Sequence, residues 1–335
     1  MTVSALPIGD EPAGGLPGKS RNLLVWKRAT VDGRPALYGE AGEGVPVLFL
    51  HGWALGHHSY KPALKRLIGL GCRVTAPALP GFGGTPELSG TQFSFGGYAA
   101  WVDRFCAAAG IDEPVVLIGH SFGGGVAIRF AHDSPERVRQ LVLINSVGGS
   151  TWRPANIDDE AKGGKGRSMA ERPLWDWGLH FPSDILSLPQ LTRMVPVFLE
   201  DALPNVMRNP LALWRVGQLA RKADLTVELE ELRARKVPVV VLWGERDEII
   251  PRASFDALCA AIGSEGEVIK GAHSWLLADP DAFAEVMANV LTLTETEVPT
   301  VPTGPTEPRP KPQKAKQQTK PATSGRRSGD HPAAG

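Results

Sequence analysis

A serine in this 335-residue sequence lies in a context that suits nucleophilic catalysis. Ser121 is the third residue of a G-x-S-x-G pattern that runs from Gly119 to Gly123. An apolar run at 115–118 precedes the pattern, and a helical pattern at 126–131 follows it. A strand, a sharp turn and a helix form the context in which this pattern exposes a nucleophile, because glycine has no Cβ atom to crowd the turn. We therefore predict that Ser121 is a nucleophile at the tip of that turn.

A serine hydroxyl is a poor nucleophile at neutral pH, so it needs a base and a third group that orients the base. His273 is the candidate base and Asp247 the candidate orienting carboxylate. Each follows a predicted strand, at 267–269 and 238–243 respectively, as Ser121 does. Sites in parallel sheets lie at the carboxyl ends of the strands, so these side chains are expected to share one crevice. His51 and Asn145 also follow predicted strands and are expected to face the same crevice.

Other residues compete for these roles. Glu245 and Glu248 flank Asp247, and either one stays open as the true carboxylate. His51 belongs to a turn and is expected to bond to backbone, whereas His120 adjoins the serine and is expected to point elsewhere. The remaining histidines considered lie in or beside predicted helices: His57, His58 and His132.

A second turn could stabilise the oxyanion that forms during acyl transfer. The apolar strand predicted at 45–50 ends in His51-Gly52-Trp53. Acyl transfer needs preorganised N–H donors at the developing negative charge. We expect the backbone N–H groups of Trp53 and Phe122 to supply them. The glycine-rich stretch 80–86 lacks a following Gly-Lys-Ser/Thr, so it does not indicate a phosphate site.

The elements that carry these residues alternate between strand and helix. Apolar runs that read as strands alternate with helical patterns several times between residues 45 and 294. This alternation predicts an α/β fold with a mainly parallel sheet and helices on both faces. Helix 95–109 is expected to end at Gly110, a residue typical of helix C-termini. Asp32-Gly33, a turn dipeptide, is expected to join two short strands predicted at 23–26 and 36–38.

The chain divides into four kinds of segment. Residues 1–22 are predicted to be a flexible arm, and 23–147 with 226–294 to form the core. Residues 148–225 are rich in tryptophan and proline and are predicted to form a helical cap over the crevice. Residues 295–335 are proline-rich and basic, which predicts disorder and leaves weak contact with an anionic surface open.

Composition narrows the function classes. Lys plus Arg equals Asp plus Glu at 36 each, so net charge gives no bias towards nucleic acid. The three cysteines lack metal-ligand spacing, and we predict neither a metal nor a cofactor. No signal peptide or membrane span is predicted, and the free thiols favour a reducing, cytoplasmic location. The oligomeric state stays open.

The sequence resembles the α/β-hydrolase superfamily over about residues 23–294. The segments that carry the resemblance are His51-Gly52-Trp53, Leu79-Pro80-Gly81-Phe82-Gly83, Gly119-His120-Ser121-Phe122-Gly123-Gly124, Gly244-Glu245-Arg246-Asp247 and Gly271-Ala272-His273. The resemblance implies a cofactor-free serine hydrolase with an inserted helical cap. Dehalogenases and epoxide hydrolases of this architecture carry aspartate where this chain has Ser121.

The resemblance says less about the substrate. The tryptophan that follows His51-Gly52, Trp53, resembles the corresponding feature of some carboxylesterases, including those that act on acyl-carrier-protein methyl esters. The triad is shared with C–C bond hydrolases of aromatic ring cleavage, although Trp53-Ala54-Leu55 departs from their glycine-rich turn. We predict a serine hydrolase that cleaves a carboxylic ester or thioester of an apolar acyl substrate. The alternatives are a C–C bond hydrolase, an acyltransferase and a non-catalytic ligand receptor.

Overall fold

The computed structural model describes residues 23–149, 192, 195–196 and 198–296. The predicted arm, 1–22, lies outside the described residues, as does most of the predicted cap, 150–191. The predicted tail lies outside them from residue 297 onwards. Its first two residues, 295 and 296, instead complete the last helix of the core.

The described residues form an eight-stranded sheet with the order β1-β2-β4-β3-β5-β6-β7-β8. All neighbours from β4 to β8 pair in parallel, whereas β2 is antiparallel to both β1 and β4. The predicted fold class, a mainly parallel α/β sheet, is therefore confirmed. The strands are β1 Val25–Val31, β2 Arg34–Ala41, β3 Val45–Leu50, β4 Cys72–Pro77, β5 Val115–His120, β6 Val138–Ile144, β7 Val239–Gly244 and β8 Glu267–Ile269.

Helices cover both faces of the sheet. Consecutive residues of the central strands alternate between the two faces, so Leu48 and Leu117 join one apolar core while Val47 and Val116 join the other. The first core packs against α2, α3, α6 and α7, and the second against α1, α8 and α9. The helices are α1 Lys61–Gly69, α2 Phe95–Ala109, α3 Phe122–Asp133, α4 Leu203–Arg208, α5 Pro210–Arg221, α6 Thr226–Ala234, α7 Arg252–Ile262, α8 Trp275–Ala278 and α9 Pro280–Thr296.

Two local predictions are confirmed. Asp32 and Gly33 join β1 to β2 with φ values of 52° and 72°, the left-handed pair that a two-residue hairpin turn requires. Gly110 ends α2 in the left-handed conformation, and Ser94 caps its start by accepting a hydrogen bond from the N–H of Gly97.

A segment is inserted between β6 and β7. We call its described helical part, a π-helical turn Phe198–Ala202 with α4 and α5, the inserted helices. The N–H of Leu225 donates to the carbonyl of Gly148 at 2.9 Å, and Gly148 also pairs with Asp224. The chain thus returns to the sheet where it left it. Within the described ranges, every helix is too short or too polar to cross a membrane.

Candidate active site

Ser121 sits between β5 and α3 in a strained backbone conformation. Its φ is 54° and its ψ is −117°, a region that residues other than glycine rarely occupy. A methyl group on Gly119 would lie 2.6 Å from the carbonyl oxygen of Gly123, and one on Gly123 would collide with the carbonyl oxygen of Leu50. The sharp turn inferred for Ser121 is confirmed, and both flanking glycines are required by space.

Asp247 is buried just beyond β7, with 6% of its surface exposed. Its Oδ1 accepts from the backbone N–H groups of Ile249 and Ile250, both at 2.8 Å. Its Oδ2 faces the imidazole of His273. Glu245 and Glu248 are both exposed, so Asp247 is the carboxylate of the three that faces the candidate base.

The imidazole of His273 bonds to Asp247 with 2.8 Å between Nδ1 and Oδ2. An ionised carboxylate only accepts, so Nδ1 carries the proton and donates it. This tautomer makes Nε2 the basic nitrogen of the ring. The arrangement is the one that a base needs when a carboxylate orients it.

Asn145 extends this cluster in a way that the sequence did not reveal. Its Nδ2 donates to Oδ2 of Asp247 at 2.5 Å, and its Oδ1 accepts from the indole N–H of Trp275 at 2.9 Å. Asn145 has a φ of 45° directly after β6, and asparagine tolerates that region better than most residues. The available signal was the position of Asn145 just beyond a buried strand. That position predicted that Asn145 faces the crevice, but it did not identify Asp247 as its partner.

The turn His51-Gly52-Trp53, which we call the oxyanion turn, lies beside the serine. A methyl group on Gly52 would lie 3.2 Å from the Cβ of Ser121. His51 donates from Nδ1 to the carbonyl of Gly52 at 2.9 Å and accepts at Nε2 from the N–H of Leu79 at 2.8 Å. The expectation that His51 bonds to backbone is thus confirmed.

The family model described as "alpha/beta hydrolase fold" matches residues 45–280, which include Ser121, Asp247 and His273. The chain belongs to the α/β-hydrolase family. Its sequence is 30% identical over 265 residues to a 2-hydroxymuconate semialdehyde hydrolase of Pseudomonas putida, covering 75% of this chain and 89% of that protein. It is 31% identical over 225 residues to a pimeloyl-[acyl-carrier protein] methyl ester esterase of Aromatoleum aromaticum, covering 64% of this chain and 85% of that one.

Solved structures agree on the α/β-hydrolase fold. A thermophilic esterase from Thermogutta terrifontis superposes with a TM-score of 0.61 at 22% identity, covering 81% of this chain and 99% of that one. At this identity the likeness concerns the fold alone. The relatives therefore include a methyl ester esterase and a 2-hydroxymuconate semialdehyde hydrolase, so the substrate of this α/β-hydrolase has to be argued from its site.

Two other groups of residues in the α/β-hydrolase core do not fit the role of nucleophile or metal ligand. Burial raises the pKa values of the free thiols Cys72, Cys106 and Cys259 to about 11, 12 and 11, so they are protonated at neutral pH. His132 pairs with Asp133 and Glu231 at the surface. Among the described residues, no group of three or more His, Cys, Asp or Glu side chains is arranged to hold a metal ion.

The inserted helices of this α/β-hydrolase bind directly to the loop that follows the oxyanion turn. Asp201 is buried and accepts at Oδ2 from the N–H of Gly56 at 2.7 Å and from the N–H and hydroxyl of Ser59 at 3.2 and 2.5 Å. Asn205 donates to the carbonyl of Ala54 at 3.1 Å. The indole N–H of Trp53 donates to the carbonyl of Leu213 at 2.7 Å. No local pattern could indicate these contacts, because their partners lie 142–160 residues apart in the chain.

Proposed function

We propose that this α/β-hydrolase is a serine hydrolase that cleaves a carboxylic ester or thioester of an apolar acyl substrate. Ser121 is the nucleophile, His273 the general base and Asp247 the group that orients the base. The backbone N–H groups of Trp53 and Phe122 form the oxyanion hole. No cofactor takes part in this reaction.

The buried hydrogen bond between Asp247 and His273 carries the proposal. At 2.8 Å it fixes the proton on Nδ1 and makes Nε2 basic, which a purely structural histidine does not require. Ser121 supports it, since it stands in a strained turn directly after β5, where 6% of its surface is exposed. Phe122 is the first residue of α3, so its backbone N–H has no earlier helical carbonyl to bond. The esterase among the relatives supports the ester as the bond cleaved.

The proposed reaction begins at the hydroxyl of Ser121. Oγ of Ser121 attacks the acyl carbonyl while Nε2 of His273 takes its proton. The tetrahedral oxyanion accepts hydrogen bonds from Trp53 and Phe122, and loss of one such donor costs about 100–1000-fold in rate. His273 then protonates the leaving alcohol or thiol. A water molecule that His273 deprotonates releases the acyl group and restores the serine.

A fluorophosphonate probe tests the nucleophile. The wild-type protein is expected to be labelled and to hydrolyse p-nitrophenyl esters, with the rate across rising acyl length measuring the acyl pocket. Ser121→Ala should abolish both. The matched control is Ser146→Ala. Ser146 is also buried and lies near the same turn, and within the described residues its hydroxyl donates to the carbonyl of Val147.

Two outcomes contradict the proposal. Folded Ser121→Ala protein that is labelled as strongly as the wild type would remove Ser121 from the chemistry. Folded wild-type protein that is neither labelled nor active on any ester would favour a non-catalytic ligand receptor.

Carbon–carbon bond hydrolysis is the second candidate, and the relative from Pseudomonas putida favours it. The same triad would act on 2-hydroxymuconate semialdehyde, the compound in that relative's name. A kcat/KM on this compound that exceeds that on every ester and thioester tested would place the chain in the second class. The reverse ranking supports ester cleavage.

A further inference from the structure

A buried tyrosine and a buried histidine link the oxyanion turn, the turn of Ser121 and the loop of His273 through hydrogen bonds. The N–H of Gly52 donates to the hydroxyl oxygen of Tyr60 at 3.0 Å. That hydroxyl lies 2.7 Å from Nδ1 of His120. Nε2 of His120 lies 3.0 Å from the carbonyl oxygen of His273. We call this chain of three hydrogen bonds the Tyr60–His120 bridge.

The direction of each hydrogen bond in the bridge is determined by its partners. The carbonyl of His273 only accepts, so Nε2 of His120 carries a proton. Burial, with the nearby His273 as a smaller cause, lowers the pKa of His120 to about 3, so the ring is neutral and Nδ1 accepts. The Tyr60 hydroxyl donates to Nδ1, and burial raises the pKa of Tyr60, which keeps it protonated.

The bridge ends on the backbone of groups that the proposed reaction uses. Gly52 precedes the oxyanion donor Trp53, His120 precedes the nucleophile Ser121, and the acceptor carbonyl belongs to the base His273. The three loops come from the ends of β3, β5 and β8, which do not all pair with one another. β3 pairs directly with β5, whereas β6 and β7 lie between β5 and β8. The bridge therefore adds a direct connection to the loop of His273, which the sheet links to the other two loops only through intervening strands.

We propose that Tyr60 and His120 are positioning residues that hold the oxyanion turn and the loop of His273 in register with Ser121. This inference rests on the proposed serine mechanism. The hydrogen bonds of the bridge join Tyr60 and His120 to each other and to backbone groups, and the ring of His120 packs against that of His273 with 5.0 Å between the ring centroids. The two residues act by fixing distances, and a shift of about 1 Å between reacting groups can cost about 100-fold in rate.

Tyr60→Phe removes the central hydroxyl and keeps the ring. We expect kcat for a p-nitrophenyl ester to fall about 10–100-fold while KM changes less than about threefold. The affinity for an alkyl trifluoromethyl ketone, which forms a tetrahedral adduct with an activated serine, should fall in parallel with kcat/KM. A residue that only supports stability would not move these two quantities together.

The matched control is Tyr98→Phe. Tyr98 is also fully buried, and its hydroxyl donates to the carbonyl of Pro80 at 3.0 Å, outside the bridge. Both variants lose one buried tyrosine hydroxyl, so similar losses of thermal stability are expected. Only Tyr60→Phe should lower kcat.

A pair of His120 variants separates the two arms of the bridge and covers the case in which Tyr60→Phe does not fold. In His120→Gln the amide nitrogen reaches the place of Nε2 and can donate to His273. In His120→Asn the amide oxygen takes the place of Nδ1, so the hydrogen bond from Tyr60 is kept and the one to His273 is lost. We expect His120→Gln to stay within about fivefold of the wild-type kcat and His120→Asn to lose about 10–100-fold.

The outcomes distinguish the two proposals. If Ser121→Ala is inactive but Tyr60→Phe matches Tyr98→Phe in kcat, or His120→Asn matches His120→Gln, the positioning inference is wrong and the serine mechanism stands. If Ser121→Ala keeps full activity, the proposed function fails whatever the bridge variants do.

Discussion

Two buried aspartates illustrate how differently the core and the inserted helices are built. Asp247 and Asp201 are each 6% exposed, and each accepts two backbone N–H groups and one asparagine amide. The fourth donor differs, since it is the imidazole of His273 for Asp247 and the hydroxyl of Ser59 for Asp201. The same carboxylate environment thus holds the imidazole of His273, the proposed base, in one region and attaches a segment in the other.

The two aspartates also differ in where their backbone donors lie in the sequence. Asp247 bonds to residues two and three positions later, a local turn that aspartate commonly forms. Asp201 bonds to residues 142 and 145 positions earlier. Local bonding makes Asp247 a feature of its own loop, whereas Asp201 connects two distant parts of the chain.

The largest expected effect concerns the rate. Asp247→Asn keeps the size of the side chain but presents an amide to His273, which disfavours the tautomer that makes Nε2 basic. We expect kcat on a p-nitrophenyl ester to fall about 10⁴-fold. The control is Glu248→Gln, an exposed neighbour, which should leave kcat within about twofold. A larger loss in Glu248→Gln than in Asp247→Asn would mean that the wrong carboxylate has been chosen.

The next effect concerns stability. Asp201→Ala removes the acceptor of two buried backbone N–H groups and one hydroxyl. We expect the free energy of unfolding, measured by urea titration, to fall by roughly 3 kcal/mol. Glu200→Ala, at the exposed neighbouring position, should change it by less than about 0.5 kcal/mol. Equal losses in the two variants would show that Asp201 does not anchor the inserted helices.

The two asparagine partners sharpen the comparison. Asn145→Gly keeps the left-handed backbone but removes the amide that bonds to Asp247, so kcat should fall about 10–100-fold, the value of one hydrogen bond to a charged group. Asn205→Ala removes the corresponding amide beside Asp201 and should leave kcat within about threefold. A kcat loss that is larger in Asn205→Ala would reverse the roles assigned to the two regions.

The smallest effect is a dependence of stability on pH. The unfolded chain protonates His120 near its ordinary pKa of 6.5, whereas the folded chain does so only near 3. The unfolded state therefore binds more protons between these values, and the free energy of unfolding falls as the pH falls below 6.5. His120→Gln should reduce this slope by about 1.4 kcal/mol per pH unit between pH 6 and 4. An unchanged slope would contradict the neutral His120 of the bridge.

The sequence predicted the parts of the site that follow local rules. Ser121, Asp247 and His273 each follow an apolar strand, and the parallel sheet brings such strand ends to one edge. The hairpin turn at Asp32 and the end of α2 were also predictable from local rules, because a backbone with positive φ restricts the residue type.

The contacts that the sequence did not predict join residues far apart in the chain. Tyr60 lies just before α1 and Asp201 in the π-helical turn of the inserted helices, and the local sequence at neither position indicates which distant group the side chain will meet. Asn145 was placed at the crevice, but its bond to Asp247 depends on the register of β6 against β7. Pairings of this kind require the three-dimensional arrangement.

The contacts between the inserted helices and the loop at 54–59 have a consequence for how members of this family can be recombined. A chimera that replaces the inserted helices alone would leave the N–H groups of Gly56 and Ser59 and the carbonyl of Ala54 without the partners that Asp201 and Asn205 supply. The module that can be exchanged between relatives is therefore discontinuous. It consists of the inserted helices together with residues 54–59, two pieces of sequence that must be inherited as a pair.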